Sequence, residues 1–155
     1  MTLPFETAET FRRNKTRYCR HIDTKQWSLL STFILPDAEI EFLNAEGRTY
    51  VDENGVEQKW YSRAGFVACF EKAFEGMQTL HVVDPGDFEV VEGNGAGDGD
   101  RSGVRSGSGS GSRSKNEARA VFGLVYHVGD AGSEKGVHLT GGRHYQETWK
   151  MVKDE

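Results

Sequence analysis

Cysteine is scarce in this chain. There are two, Cys19 and Cys69, and no C-x-x-C pair, which excludes a disulfide framework and a cysteine-based zinc ribbon. Each falls in an apolar helical pattern, so both read as buried, reduced thiols. Long apolar runs are missing too. None approaches the ~20 residues of a membrane span, and the opening MTLPFETAETFRRNK lacks the apolar core of a secretion signal. A cytoplasmic protein with no membrane partner is the expectation. Basic charge is in the minority: 19 Lys and Arg stand against 24 Asp and Glu, a net charge of -5. No basic field is present to draw in nucleic acid. No internal repeat is visible.

The 155 residues suit one domain with a real core. The mean hydropathy of -0.62 looks low for that. The deficit traces to residues 93–114, which are almost wholly polar and rich in Gly and Ser. This run lacks the Lys-Ser/Thr of a phosphate loop and the tandem copies of a calcium-binding repeat. It reads as a flexible loop between two neighbouring strands of a single domain spanning residues 1–155.

The remainder divides by periodicity. Residues 7–22 form a helix, with Phe11, Tyr18, Cys19 and Ile22 near one side. Asp23 to Gln26 then resembles a helix start, with Asp23 as the cap of a short second helix carrying Trp27 and Leu30. Residues 38–43 are a first strand. Residues 48–52 and 56–61 flank a tight turn at Asn54-Gly55. Ser62 caps a third helix carrying Phe66, Cys69 and Phe70, which stops by Gly76. Residues 78–91 are strand with a break at Pro85-Gly86. Residues 116–128 are a long strand whose near-continuous apolar centre suggests cover on both faces. Residues 136–151 are a last strand with a Gly141-Gly142 bend that marks curvature. Helices first and long strands after make an α+β domain, with N-terminal helices covering a curved, mostly antiparallel sheet.

Histidine supplies the candidate chemistry. His81 lies among apolar residues in Thr79-Leu-His-Val-Val83, and His127 ends the apolar run that starts at Val121. His138 and His144 are six apart on the last strand, so strand alternation puts them on one face with Gln146. No pair has metalloprotease spacing, and a metal site is not expected. A histidine in an apolar pocket can remove a proton alpha to a carbonyl. A carboxylate on its other nitrogen would fix its tautomer, and a phenol could donate to the carbonyl oxygen as negative charge develops there. Such chemistry calls for no cofactor.

The run Tyr18-Cys-Arg-His-Ile-Asp23-Thr-Lys-Gln-Trp27-Ser-Leu-Leu30, then Pro36-Asp-Ala38, resembles the opening of SnoaL-like proteins in the NTF2-like superfamily. Ser62-Arg-x-x-Phe66, Thr79-x-His81 and Gly142-x-x-Tyr145-x-Glu147-x-Trp149 follow in the expected order. The resemblance implies a cone-shaped barrel with helices over a pocket for a small apolar molecule. It covers essentially the whole chain outside the Gly/Ser loop. Within the superfamily the chain is similar to the scytalone dehydratase and bile-acid 7α-dehydratase group. The aspartate of that group falls on Asp23, a histidine on His81 and a further histidine on His127. The tyrosine that stands five residues before the aspartate falls on Tyr18. Two tyrosines of scytalone dehydratase fall on Ile22 and Phe42, and two polar groups of its last strand fall near His144 and Gln146. Scytalone itself is therefore not the expected substrate.

The resemblance implies His81 as general base and acid, Asp23 as its orienter and Tyr18 as electrophilic donor. His127, His144, Phe42 and Gln146 would be supporting pocket groups. Three readings follow: a cofactor-independent lyase or isomerase, a non-catalytic binder, or a module that dimerises through its sheet face. Chains of the group usually run on past the Trp149 region into one more strand. Either that strand is absent here, which would leave an open sheet edge, or the chain is a shortened one.

Overall fold

The computed structural model describes residues 3–91, 117–132 and 138–150. The Gly/Ser-rich run and the segment after Lys150 lie outside the described residues.

The element order is α1 (Phe5–Asp23), a 3-10 turn (Trp27–Thr32), β1 (Ile40–Glu41), β2 (Lys59–Trp60), α2 (Arg63–Ala73), β3 (Met77–Val83), β4 (Asp87–Val90), β5 (Glu117–Asp130) and β6 (His138–Lys150). α1 forms because its apolar side is regular. Ala8, Phe11, Lys15, Tyr18, Cys19 and Ile22 recur at three- and four-residue intervals, and all are buried. One of the six is a lysine, which the apolar pattern alone passes over. α2 starts where expected, with the Ser62 hydroxyl accepting from the Gly65 amide at 3.2 Å. Its Cys69 is exposed, which corrects the expectation of a buried thiol, whereas Cys19 is buried.

β5 is the spine of the main sheet. One of its edges pairs antiparallel with β3 and then with β4, and the other pairs with β6 along nearly its full length. β3 and β4 are two halves of one long strand, interrupted at Asp84-Pro85-Gly86. Gly86 is required there. Its φ is 72°, and a Cβ would come within 2.5 Å of the Phe122 ring. A second glycine is fixed by an aromatic: a Cβ on Gly141 would meet the Tyr126 ring at 2.3 Å.

Alternation along β5 decides which face is inside. Ala118, Ala120, Phe122 and Leu124 are buried, while Val121 and Val125 are 41% and 47% exposed. One face of this strand is covered, not both. The unbroken run of apolar residues misleads because the outer valines meet solvent. On the inner face α1 lies across the sheet. Phe11 stacks on Trp149 at 5.1 Å and approaches Phe88 at 6.1 Å. Farther along, Tyr18, Cys19, Ile22 and Leu30 form a cluster that Trp27, Phe74, Val83 and Tyr145 complete. The small β1–β2 sheet and α2 cover the neighbouring part. There Phe42, Trp60, Phe66 and Phe70 pack ring against ring at 4.7–5.7 Å. Among the described residues no helix is long and apolar enough to cross a membrane.

Candidate active site

The last turn of α1 delivers Asp23 to β3. One carboxylate oxygen, Oδ1, is 2.6 Å from Nδ1 of His81 and accepts from the Thr79 hydroxyl at 2.9 Å. The other, Oδ2, accepts from the His81 backbone amide at 2.9 Å. Three donors from one strand thus hold one carboxylate. The sequence-based expectation for this aspartate as a helix cap is corrected. α1 runs through Asp23, and the short 3-10 turn begins after Gln26 with no side-chain cap.

The hydrogen-bond inventory fixes proton positions. Lys25 Nζ donates to the Thr79 hydroxyl oxygen at 3.0 Å. An ammonium can only donate, so the Thr79 proton is free to go to Asp23. A carboxylate can only accept, so the His81 Nδ1 carries its proton and donates to Oδ1. In the neutral imidazole Nε2 is then the nitrogen with the free lone pair. The imidazole sits among rings, with Tyr126 at 6.2 Å and Phe74 at 6.4 Å. Phe70 at 5.4 Å from Phe74, and Phe42 at 5.7 Å from Phe70, continue this apolar lining. Arg143 lies over the rings of Phe42 and Tyr50 at about 6 Å.

Tyr18 is on the other flank of the buried helix face. Five residues at ~100° each put it ~140° from Asp23. It meets Tyr145 edge-on at 6.3 Å. Burial raises its pKa well above the ordinary phenol value, and the adjacent Tyr145 and Glu147 add to the rise. Burial also raises Tyr145, and the nearby Cys19 and Glu147 add to the rise. Under these phenols lies Lys15, 1% exposed. It pairs with Glu147. Its ammonium is 3.2 Å from the Tyr145 ring centre and 4.3 Å from that of Tyr18. Burial lowers the Lys15 pKa, and Glu147 opposes that shift.

The structure therefore brings Asp23 and His81 together and keeps Tyr18 on the same inner face, against Tyr145. Phe42 also stands on this side. His127, His144 and Gln146 do not. Strand register pairs Leu80 with His127, Gly123 with His144 and Val121 with Gln146, all on the outer face. The three are thus corrected as pocket groups: neighbours of His81 in the sheet must have its parity, as Tyr126 does. His127 instead meets His138 and Thr140, each at 3.1 Å. Thr79, Lys25, Tyr145 and the Lys15–Glu147 pair were missed as site groups. Thr79-x-His81 was visible as a motif, and strand alternation could have put its two side chains together. Nothing local marked Lys15 or Lys25.

No family model matches the chain. A protein named Probable cyclase FGR4 from Gibberella zeae is 32% identical over all 155 residues, which correspond to 88% of its length. The chain belongs to the family of this probable cyclase. A solved structure from Catenulispora acidiphila superposes with a TM-score of 0.58 at 9% identity, across 96% of this chain and 85% of the other. That likeness concerns the fold: an N-terminal helix on a curved antiparallel sheet.

Proposed function

We propose that the protein is a cofactor-independent catalyst of proton transfer on a small, apolar, carbonyl-bearing molecule, within a SnoaL-like domain of NTF2-like type. The observation that carries this reading is the Asp23–His81 contact through Nδ1, with the Phe74 and Tyr126 rings beside the imidazole. Kinship with a probable cyclase supports the same class of chemistry.

His81 Nε2 takes a proton from the carbon alpha to the carbonyl. The C–H electron pair enters the new C=C bond of an enolate, and the carbonyl oxygen takes the negative charge. Asp23 stabilises the imidazolium and holds its ring. Tyr18, edge-on to Tyr145 on the same inner face, is the phenol assigned to donate to the substrate oxygen as its charge develops. In a ring closure the enolate carbon attacks a second carbonyl of the same molecule, and the new alkoxide takes the proton back from His81. In a dehydration a β-hydroxyl leaves with that proton as water. Both balance without a redox partner.

The test uses β-tetralone, a bicyclic apolar ketone, in D2O. NMR should show the wild-type protein speeding deuterium entry alpha to the carbonyl, and His81→Ala reduced to the buffer rate with a nearly unchanged melting temperature. Equal rates for the two proteins would sink the proposal. A large loss of melting temperature in His81→Ala would make His81 a structural residue instead.

A second reading rests on the outer face. Leu80, Val82, Val121 and Val125 are 41–54% exposed there, and Val82 is paired directly with Val125. We read this apolar strip as a contact surface for a second copy of the chain. Light scattering should give twice the chain mass, falling to one chain in Val82→Lys/Val125→Glu. A wild-type monomer at tens of micromolar would refute it.

A further inference from the structure

Lys25 is the one described residue other than glycine with a positive φ, 59°. For an L-residue that backbone state is strained, and it persists where the surroundings over-determine it. The chain leaves α1 through this residue, with the Lys25 amide donating to Ile22 and the Gln26 amide to His21. The effect is to turn the Lys25 side chain back over the end of the helix. Its ammonium reaches the Thr79 hydroxyl at 3.0 Å and lies 4.9 Å from the Phe74 ring centre and 6.0 Å from that of Trp27. Asn or Gly would meet the backbone demand better. Neither would provide the ammonium.

We propose that Lys25 is a positioning residue of the Asp23–His81 site, the start of a one-way donor chain that runs Lys25 to Thr79 to Asp23. Because the ammonium occupies the Thr79 oxygen as a donor, the hydroxyl proton points to Asp23 Oδ1. Asp23 is thereby kept as the acceptor for the Nδ1 proton of His81, which leaves Nε2 as the base. The cation is linked to the imidazole through Thr79 and Asp23, and a positive charge on that path disfavours a second proton on the ring. Partial burial of the ammonium lowers the Lys25 pKa, and Asp23 opposes this. The groups around His81 are then accounted for: Asp23 and Lys25 from α1 and its exit, Phe74 after α2, and Tyr126 from β5. The inference deepens the proton-transfer reading and rests on it for its catalytic consequence.

Two variants separate charge from backbone. Lys25→Met removes the ammonium and keeps a side chain in the strained conformation. Lys25→Gly removes both the ammonium and the strain. In each, the His81 ring protons followed by NMR across pH should show the imidazole titrating higher than in the wild type, by about 0.5 pH or more. β-Tetralone exchange should fall about tenfold or more in both, as outer partners of a reactive group commonly require. Lys25→Gly should nevertheless melt about 2–4 °C above Lys25→Met, so the lost exchange cannot be put down to unfolding. An unmoved His81 titration in both variants overturns the proposal. So does a Lys25→Met that melts as high as Lys25→Gly, because the strain would then be absent. If the wild type fails to exchange β-tetralone, the proton-transfer reading falls, and the titration alone still decides whether Lys25 acts on His81.

Discussion

Asp23 could have satisfied one or two backbone amides as a cap. It instead collects three donors from β3, two of them belonging to His81. A charge-assisted bond to a carboxylate is worth roughly twice a neutral one, so the three together outweigh a local cap. Tertiary packing decides between the two because α1 continues through Asp23, which leaves no helix start there to cap. Asp23→Asn keeps the shape and offers an amide group where the carboxylate was. With its NH2 toward Nδ1, it would favour the wrong tautomer and place the ring proton on Nε2. We expect exchange of β-tetralone to fall about 10²-fold or more, with the His81 ring still in place by NMR. Exchange within twofold of the wild type would remove Asp23 from the mechanism. His81 was legible as a lone histidine in an apolar strand, and Asp23, which the local pattern reads only as a helix cap, through the resemblance to the SnoaL-like dehydratases. Lys25 was not, since a positive φ at lysine leaves no trace in sequence.

At the scale of elements, α1 and β6 meet through a charge pair inside the core. Lys15 takes the helix position where periodicity asks for an apolar residue, and Glu147 takes the inward position on β6. Glu147 also accepts from the Trp149 indole at 3.0 Å. Buried pairs of this kind stabilise little against an apolar replacement, but breaking one leaves a charge stranded. Lys15→Met should cost about 3 kcal/mol in urea unfolding, the low end for a buried pair because Glu147 is partly exposed, and Lys15→Met/Glu147→Gln should recover most of it. Equal losses in the single and double variants would mean that the ammonium over the Tyr18 and Tyr145 rings, not its pairing with Glu147, does the holding. The order of elements was readable because hydrophobic period and turn residues are local. The side on which a strand residue falls was not. His127, His144 and Gln146 needed the register of β3, β5 and β6, and register is set by partners far away in sequence. The apolar run of β5 concealed its alternation for the same reason: Val121 and Val125 read as core, and only the pairing shows that no element of the described structure lies over them.

For the molecule as a whole, the inner face gathers acids that burial keeps protonated. The Cys19 thiol is pushed up from 9.0 to about 11, chiefly by burial. Burial likewise raises the Tyr18 and Tyr145 phenols above their ordinary 10.0. In the unfolded chain these groups lose their protons at the ordinary values, while in the folded chain they keep them. Between the two, the folded state binds more protons than the unfolded one, so stability falls as pH rises. The loss starts near pH 9 through Cys19 and steepens above pH 10 as the phenols join. Lys15 works the other way. Its folded pKa is lowered, so over the range between its folded and unfolded values it favours folding as pH rises. Three raised acids oppose it in α1 and β6, and the net expectation is alkaline unfolding. Cys19 alone should account for roughly 2–3 kcal/mol of the decline between pH 8 and pH 11. Cys19→Ala should therefore be less stable at pH 7, where a small cavity is its only defect, yet decline less steeply above pH 9. Urea unfolding at pH 7, 9 and 10.5 decides it. Parallel declines for wild type and Cys19→Ala would show that the thiol ionises in the folded protein as easily as in the unfolded chain, and that the inner face is open to water at that point.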